Sequence, residues 1–445
     1  MHSSPMPHRE SPITISPVLA QALEDQVLDI DGDIKAIAQV PGSSQWMVAI
    51  DSGYGFCLTR LNADLSVDET FGARQDGLVY DYFDTAGFHL TAVHQVAWVD
   101  GKVLVIGATC DLDVDRIALA RYHADGRPDR SFNGTGKQIV ELPHSQRLPR
   151  QQRRGALNST IFTAQVPMVM ADGSIVVFFQ ETDTRHPGSR AFLVCLDAHG
   201  QLQPDFNQQG FARVQFEGRD IVPHGVARQG SDLLVFGATC ADEDGTRLGL
   251  VARFSAQGHR DTAFNGSGFV VIGDPGTAAV ISQVQVLEGG EFLAVGTFGS
   301  NVLMTRRQRD GSPAPHFNEG MPLLAALPFE VSAVKALVAW GECVLLAATS
   351  ALQSSRGTLI CLRSDGTPDT GFAAGAGYLM AEHESEYLAL AIESDGAIVV
   401  AGYLYQQGYY AWFRRFDHPG VHRDDHCGAC PPVNSDSIGD YHPGM

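Results

Sequence analysis

RYHADGRPDRSFNGTG, residues 121–136, carries punctuation that occurs six times along this chain, with a damaged seventh copy near the end. The text leading into it, IALARY, reads as a strand. ADG reads as a tight turn, because Asp and Gly tolerate the backbone angles of a reversal. Asp129 reads as the cap of a short helical turn and Phe132 as an apolar anchor. The anchors are Phe71, Phe132, Phe206, Phe264, Phe317 and Phe372, which sets a unit of roughly 60 residues with one insertion.

Working outward from the anchors, seven apolar runs appear: WMVAI from Trp46, VLVIGAT from Val103, SIVVFF from Ser174, LLVFGAT from Leu233, FLAVGT from Phe292, CVLLAAT from Cys343 and AIVVAGY from Ala397. DG at 100, 172 and 395 and GG at 289 precede four of them and accept the positive φ angles of a two-residue hairpin. After each run comes another short apolar segment: FCLTRL, IALARY, AFLVCL, LGLVARF, VLMTRR, TLICLR and AWFRRF. Runs this short and apolar are strands of packed sheets. Four strands fit one unit, so the expected fold is all-β, a seven-bladed β-propeller of four-stranded antiparallel blades.

The seventh unit supplies strands near 386–393, 397–404 and 410–416 but no ordinary fourth. An open ring would leave exposed strand edges, and an N-terminal strand closes it in this reading, with the alternating ITISPV at 13–18 as the segment assigned. The expected organisation is a disordered stretch at 1–12, one propeller domain over 13–426 and a tail at 427–445.

The order Arg, DG turn, Asp, then Phe followed by Gly or Asn and a later Gly resembles the delta-60 repeat of bacterial proteins, over roughly residues 30 to 420. Arg60, Asp64, Asp68, Phe71 and Gly72 carry it in the first copy, and Arg121, Asp125, Gly126, Asp129 and Phe132 in the second. The third copy departs from it, with Cys195 and Gln203 in place of Arg and Asp, and so does the fifth, with Ala314 in place of Asp. The resemblance implies propeller-like β structure and carries no activity.

Charge narrows the partners. Among 445 residues, 51 Asp and Glu face 31 Lys and Arg, a formal net charge of −20. Such a field repels phosphate backbones and anionic membranes, so nucleic acid and membrane insertion are not expected. The amino terminus shows no basic segment followed by an apolar core. The expected location is cytoplasmic, or outside by a route needing no cleaved signal. Cys57, Cys110, Cys195, Cys240, Cys343 and Cys361 lie in or beside apolar runs and read as small hydrophobes rather than a disulfide framework.

Four sets of residues invite chemistry. Asp64 with Asp68, Asp125 with Asp129 and Asp365 with Asp369 have a spacing calcium would accept, but Gln257 and Gln203 interrupt the series, so a turn residue followed by a cap is the better reading. Arg60, Arg121 and Arg253, each with an Asp three residues before its Phe, read as ion pairs within a blade; Arg306 lacks the Asp and Asp369 lacks the Arg. The insertion after the second unit holds Arg147, Arg150, Arg153 and Arg154, a basic loop suited to an acidic partner or simply solvated. The damaged seventh copy, HPGVHRDDHCGAC, brings His422, His426, Cys427 and Cys430 together, ligand types that suit zinc.

No complete catalytic constellation stands out. His94 and His224 fall near unit boundaries and could line one face, although a lone histidine at a strand end is more often a satisfied surface residue than a catalyst. Tyr80, Tyr82, Tyr409, Tyr410 and Trp412 are aromatic candidates for stacking on sugars, Trp412 belonging more naturally to a core strand. The expectation is a non-enzymatic, monomeric binding or scaffold propeller presenting loops to a protein or glycan partner, with no cofactor beyond a zinc ion at the C-terminal cluster. The rival is a lyase or hydrolase working at the central channel.

Overall fold

Seven antiparallel sheets follow one another along the chain in the computed structural model, which describes residues 26–52, 55–83, 90–111, 114–140, 142, 168–170, 172–181, 190–240, 245–274, 276–340, 343–351, 355–393, 396–405 and 409–416. Blade 1 is Asp33–Gln39, Trp46–Asp51, Phe56–Leu61 and Leu78–Asp81; blade 2 is Leu90–Val99, Lys102–Asp111, Val114–His123 and Lys137–Val140. Blade 3 is Met168–Val169, Ile175–Glu181, Arg190–Leu196 and Phe211–Arg213. Blade 4, Arg219–Gln229, Asp232–Thr239, Gly249–Phe254 and Phe269–Ile272, gains a short fifth strand, Gln215–Phe216. Blade 5 is Ala279–Val286, Phe292–Phe298, Asn301–Arg307 and Leu323–Leu324; blade 6 is Val331–Trp340, Cys343–Ala351, Ser355–Arg363 and Tyr378–Met380. Blade 7 takes Ser385–Ile392, Ile398–Tyr405 and Tyr409–Phe416 from the C-terminal end and Gln26–Asp31 from the N-terminal end. The protein is a seven-bladed β-propeller.

The closing strand pairs antiparallel with Tyr409–Phe416, Val27 facing Trp412. The chain that begins the ring therefore also finishes it, and the last sheet edge is covered. ITISPV and the 1–12 and 427–445 segments lie outside the described residues. A polar contact reinforces the seam: Glu393 of blade 7 accepts from Arg415 Nε at 2.8 Å and from Trp46 Nε1 of blade 1 at 3.1 Å.

Each interface between blades is a separate apolar core. Phe71, Phe56 and Val105 share one between blades 1 and 2, and Ile34, Val48, Val399 and Phe413 share the one that joins blade 7 to blade 1. The second and third strands are buried almost throughout, as from Trp46 to Ile50, because both of their faces meet a neighbouring blade.

The repeat's turn explains how blades interlock. Gly126 stands at φ +85°, and a Cβ there would lie 2.9 Å from Cζ of Phe71 in the preceding blade. Gly258 repeats this against Phe206 at 2.6 Å. Only glycine combines that backbone angle with so close an approach. Blade 1 breaks the pattern: Leu65 occupies the turn at φ +65°, and its side chain, 2% exposed, packs into the core shared by blades 7 and 1. The repeat copy preceding it lacks the anchoring Phe, so Leu65 supplies apolar volume from the other side of the seam.

Asp129 does cap the turn that follows it, its Oδ1 accepting from Ser131 N at 3.1 Å. That turn is not helical in blade 2. In blades 3 to 6 a three-residue 3₁₀ turn begins at or just after the anchoring Phe, at Phe206–Gln208, Phe264–Gly266, Asn318–Gly320 and Ala373–Gly375.

Candidate functional site

The repeated Arg and Asp meet in a polar node. In blade 2, Arg121 Nε donates to Asp129 Oδ2 at 2.7 Å, Lys102 Nζ reaches the same oxygen at 2.7 Å, and Arg121 Nη1 crosses to the Ala198 carbonyl of blade 3 at 2.8 Å. Arg60 does the same with Asp68 (2.8 Å) and the Ala124 carbonyl of blade 2 (3.0 Å). Arg253 pairs with Asp261 (2.6 Å) and crosses to the Arg309 carbonyl of blade 5 (2.6 Å). Each guanidinium also lies over its own anchor ring, Arg121 at 4.6 Å from the centroid of Phe132. Burial alone would raise the Asp129 pKa, but hydrogen bonds from Lys102, Ser131 and Arg121 outweigh it and hold the carboxyl well below its usual range.

The exceptions are compensated. Arg306, lacking its Asp, pairs with Glu291 at 2.9 Å. In blade 3 the thiol of Cys195 donates to Gln203 Oε1 at 3.1 Å, so a neutral pair replaces the charged one. Asp369 takes Arg363, two residues beyond the usual position, at 3.0 Å. The other acidic residue of each turn is engaged locally: Asp64 accepts from Ser66 N (3.0 Å) and Asp365 from Thr367 N (2.9 Å). The repeat's conspicuous charges thus hold a blade together and staple it to the next.

A different set converges at the axis. The first strand of each blade faces the first strands of its neighbours, as where Gln283 Nε2 of blade 5 donates to the Lys335 carbonyl of blade 6 at 2.7 Å. In six blades this strand carries a bulge at the same register, leaving Lys35, His94, His224, Ser282, Lys335 and Leu388 as the extra residues. The equivalent position of blade 3 lies outside the described residues. The second strand must let the bulge in. At Gly107 a Cβ would lie 2.1 Å from the Ala92 carbonyl, and at Gly296 1.8 Å from that of Val280.

These side chains sense one another across blades. Lys335 Nζ lies 3.4 Å from Glu386 of blade 7, and Lys35 Nζ lies 3.0 Å from Asp33. Desolvation, aided by the charge of Lys35, pushes the His94 imidazole down to about 4; desolvation with Lys335 and Arg247 does the same to His224. At neutral pH the ring therefore holds two uncharged imidazoles, and each of its two lysines has a carboxylate beside it. That arrangement offers many donors and acceptors with little net charge.

Of the residues singled out by sequence, Arg147, Arg150, Arg153 and Arg154 and the His422, His426, Cys427, Cys430 set lie outside the described residues. His94 and His224 share a register, each the extra residue of a bulge in its blade's first strand. Lys35 and Lys335 were missed: the lone glycines inside VLVIGAT, LLVFGAT, FLAVGT and AIVVAGY mark the bulges of blades 2, 4, 5 and 7, whereas Ile50 and Ala348 stand opposite the two lysines' bulges. Tyr80 and Tyr82 stand exposed on the outer strand of blade 1, whereas Trp412 is buried and stacked on Tyr387 at 5.2 Å.

Residues 100–132 and 345–372 match the profile of a family described as a domain of unknown function (DUF5122) beta-propeller, which supports a propeller-repeat family. Both stretches run through a blade's second and third strands to the anchoring Phe. No curated protein matches the chain. Among solved structures, a PL25 ulvan lyase bound to -[GlcA(1-4)Rha3S]- is 11% identical over 89% of this chain and 97% of that one, with a TM-score of 0.45. Drosophila Semaphorin 2a is 9% identical over 89% and 75%, TM-score 0.45. Trypanosoma rangeli sialidase in complex with sialic acid is 12% identical over 86% and 59%, TM-score 0.39. At such identities and scores they carry no functional information for this chain. Among the described residues no helix is long and apolar enough to cross a membrane.

Proposed function

We propose that this is a non-enzymatic binding propeller of the delta-60 type whose partner is a glycan, engaged at the ring of bulged side chains in the channel. The observation that carries the reading is that ring: Lys35, His94, His224 and Lys335 project polar chemistry from one register of the inner strands. The charges of the repeat motif are consumed in joining blades. Neutral imidazoles beside matched Lys-carboxylate pairs suit hydroxyl groups, which donate and accept at once, better than they suit a phosphate.

A glycan array followed by calorimetry tests this. Lys335→Met and His94→Ala should each weaken the best hit roughly tenfold or more, about 1.4 kcal/mol per factor of ten, with the unfolding temperature held. Unchanged affinity in both variants would refute the channel as the site. Release of new reducing or unsaturated ends from the hit would instead favour the rival, a lyase or hydrolase.

A further inference from the structure

We propose that blade 6 carries a zinc site made by Cys343 Sγ, Cys361 Sγ and a carboxylate oxygen of Asp369. These three ligand atoms all lie within 4.8 Å of one another, and Cys343 Sγ stands 3.8 Å from Asp369 Oδ2. Zinc with bonds of ~2.3 Å to sulfur and ~2.1 Å to oxygen needs tetrahedral ligands about 3.6–3.8 Å apart. Cys361 is buried and Cys343 half-buried, which leaves a side for water as the fourth ligand, as in three-ligand zinc sites.

The position within the repeat supplies an independent argument. Cys361 stands where Arg60, Arg121 and Arg253 stand in their blades, eleven residues before the anchoring Phe. Cys343 stands where Lys102 stands in blade 2, two residues before the strand partner of that position. In blade 2 the node's carboxylate meets two cations, Arg121 and Lys102. Blade 6 keeps the carboxylate, paired with Arg363, and has a thiol at each position where blade 2 has a cation, so two soft ligands stand beside one carboxylate. Arg363, bonded to Asp369 Oδ1 at 3.1 and 3.0 Å, leaves Oδ2 toward the sulfurs. Binding releases two thiol protons; two thiolates and one carboxylate then balance one zinc ion and one guanidinium.

A disulfide is the competing use of two neighbouring thiols, and strand geometry opposes it. Cys343 lies directly opposite Arg363 and Cys361 opposite Leu345, so the cysteines are diagonal across the ladder. Diagonal Cα atoms are ~7–8 Å apart, beyond the limit of about 7 Å that a disulfide spans without backbone movement. A metal ion spans such a pair.

Cobalt(II) titration of the full chain reports the site, performed with Cys427→Ser and Cys430→Ser in place so that the C-terminal cysteines cannot contribute. The expected result is one tetrahedral cobalt per chain with a thiolate charge-transfer band, displaced by zinc and abolished by Cys343→Ala. Arg363→Met should weaken zinc roughly 10- to 100-fold, the usual effect of removing a partner of a ligating carboxylate, without altering the band. Because Cys343 is half-buried, its alanine variant should fold, and the unfolding transition verifies this. No thiolate band in the folded protein, an undiminished band in Cys343→Ala, or a Cys343–Cys361 disulfide in a non-reducing peptide map of protein purified under reductant would each overturn the proposal.

Discussion

Leu65→Gly turns the seam between blades 7 and 1 into a quantitative test. The substitution restores the residue type that blades 2, 3, 4, 5 and 6 use at this turn, and it removes an L-residue from the left-handed region, a relief of about 1–2 kcal/mol. Against that, Leu65 is 2% exposed and packed among Leu28, Ile34, Val399 and Phe413. Removing a buried Leu side chain costs about 2.7–5 kcal/mol when the site cannot collapse. A seam built from two rigid sheets collapses poorly, so the lost packing outweighs the backbone relief and the variant should lose about 2–3 kcal/mol. Urea unfolding followed by tryptophan fluorescence reads this as a lower midpoint at an unchanged slope. A variant as stable as the parent, or more stable, would refute the claim that Leu65 fills the space an anchoring Phe fills elsewhere.

The remaining expectations concern the node, the channel and the closure. Arg253→Met should destabilise by about 1–3 kcal/mol by leaving Asp261 without its charged donor and the Arg309 carbonyl without its cross-blade bond; a double-mutant cycle with Asp261→Asn should recover a coupling of ~1 kcal/mol or more. Gly258→Ala should cost ~2 kcal/mol or more through both φ +78° and the contact with Phe206, read as a fall in unfolding temperature. Between pH 7 and 5 the unfolded histidines take up protons near ~6.5 while His94 and His224 wait until about 4. The unfolded state then binds more protons, so stability falls with pH by about 2 kcal/mol per imidazole, and His94→Gln with His224→Gln should flatten the dependence. A chain starting at Gly32 loses the strand that covers blade 7 and should unfold at lower urea and self-associate, as light scattering would detect.

The blades were legible because their signals are local. The apolar runs, hairpin dipeptides and anchoring Phe residues each act within one repeat, and they located every second and third strand. The identity of the closing strand was not, since ITISPV shows the alternation that QVLDID, with Val27 beside Leu28, breaks, and only pairing with Tyr409–Phe416 reveals Gln26–Asp31 as the closing strand. The partner of Arg306 was likewise hidden, because Glu291 reaches it from the adjacent strand rather than from the repeat's own turn. The channel ring escaped for a related reason. A bulge is visible in sequence only through the glycine opposite it, and Ile50 and Ala348 occupy that place in blades 1 and 6, the two blades that supply the lysines.

The compensations at the node bear on where function can reside. At every described node a loss of charge is matched nearby: Glu291 for a missing Asp, Gln203 opposite Cys195, Glu393 for Arg415 at the seam. A ligand-binding ring of arginines would need its guanidinium groups free and alike from blade to blade. Those of Arg60, Arg121 and Arg253 instead spend their donors on a carboxylate and a neighbouring blade's carbonyl. The channel residues keep Lys35 and Lys335 beside Asp33 and Glu386 yet differ from blade to blade, the same register offering Lys, His, His, Ser, Lys and Leu. Variation confined to the one polar register that building the ring does not require is what a binding surface with chemically distinct subsites would have. Exchanging His94 and Lys335 for each other breaks the Lys335–Glu386 pair and sets a second lysine beside Lys35, so urea unfolding and glycan affinity read together separate the readings: a ring that serves only the fold shows a loss of stability alone, whereas a ligand site also loses its partner in the folded protein.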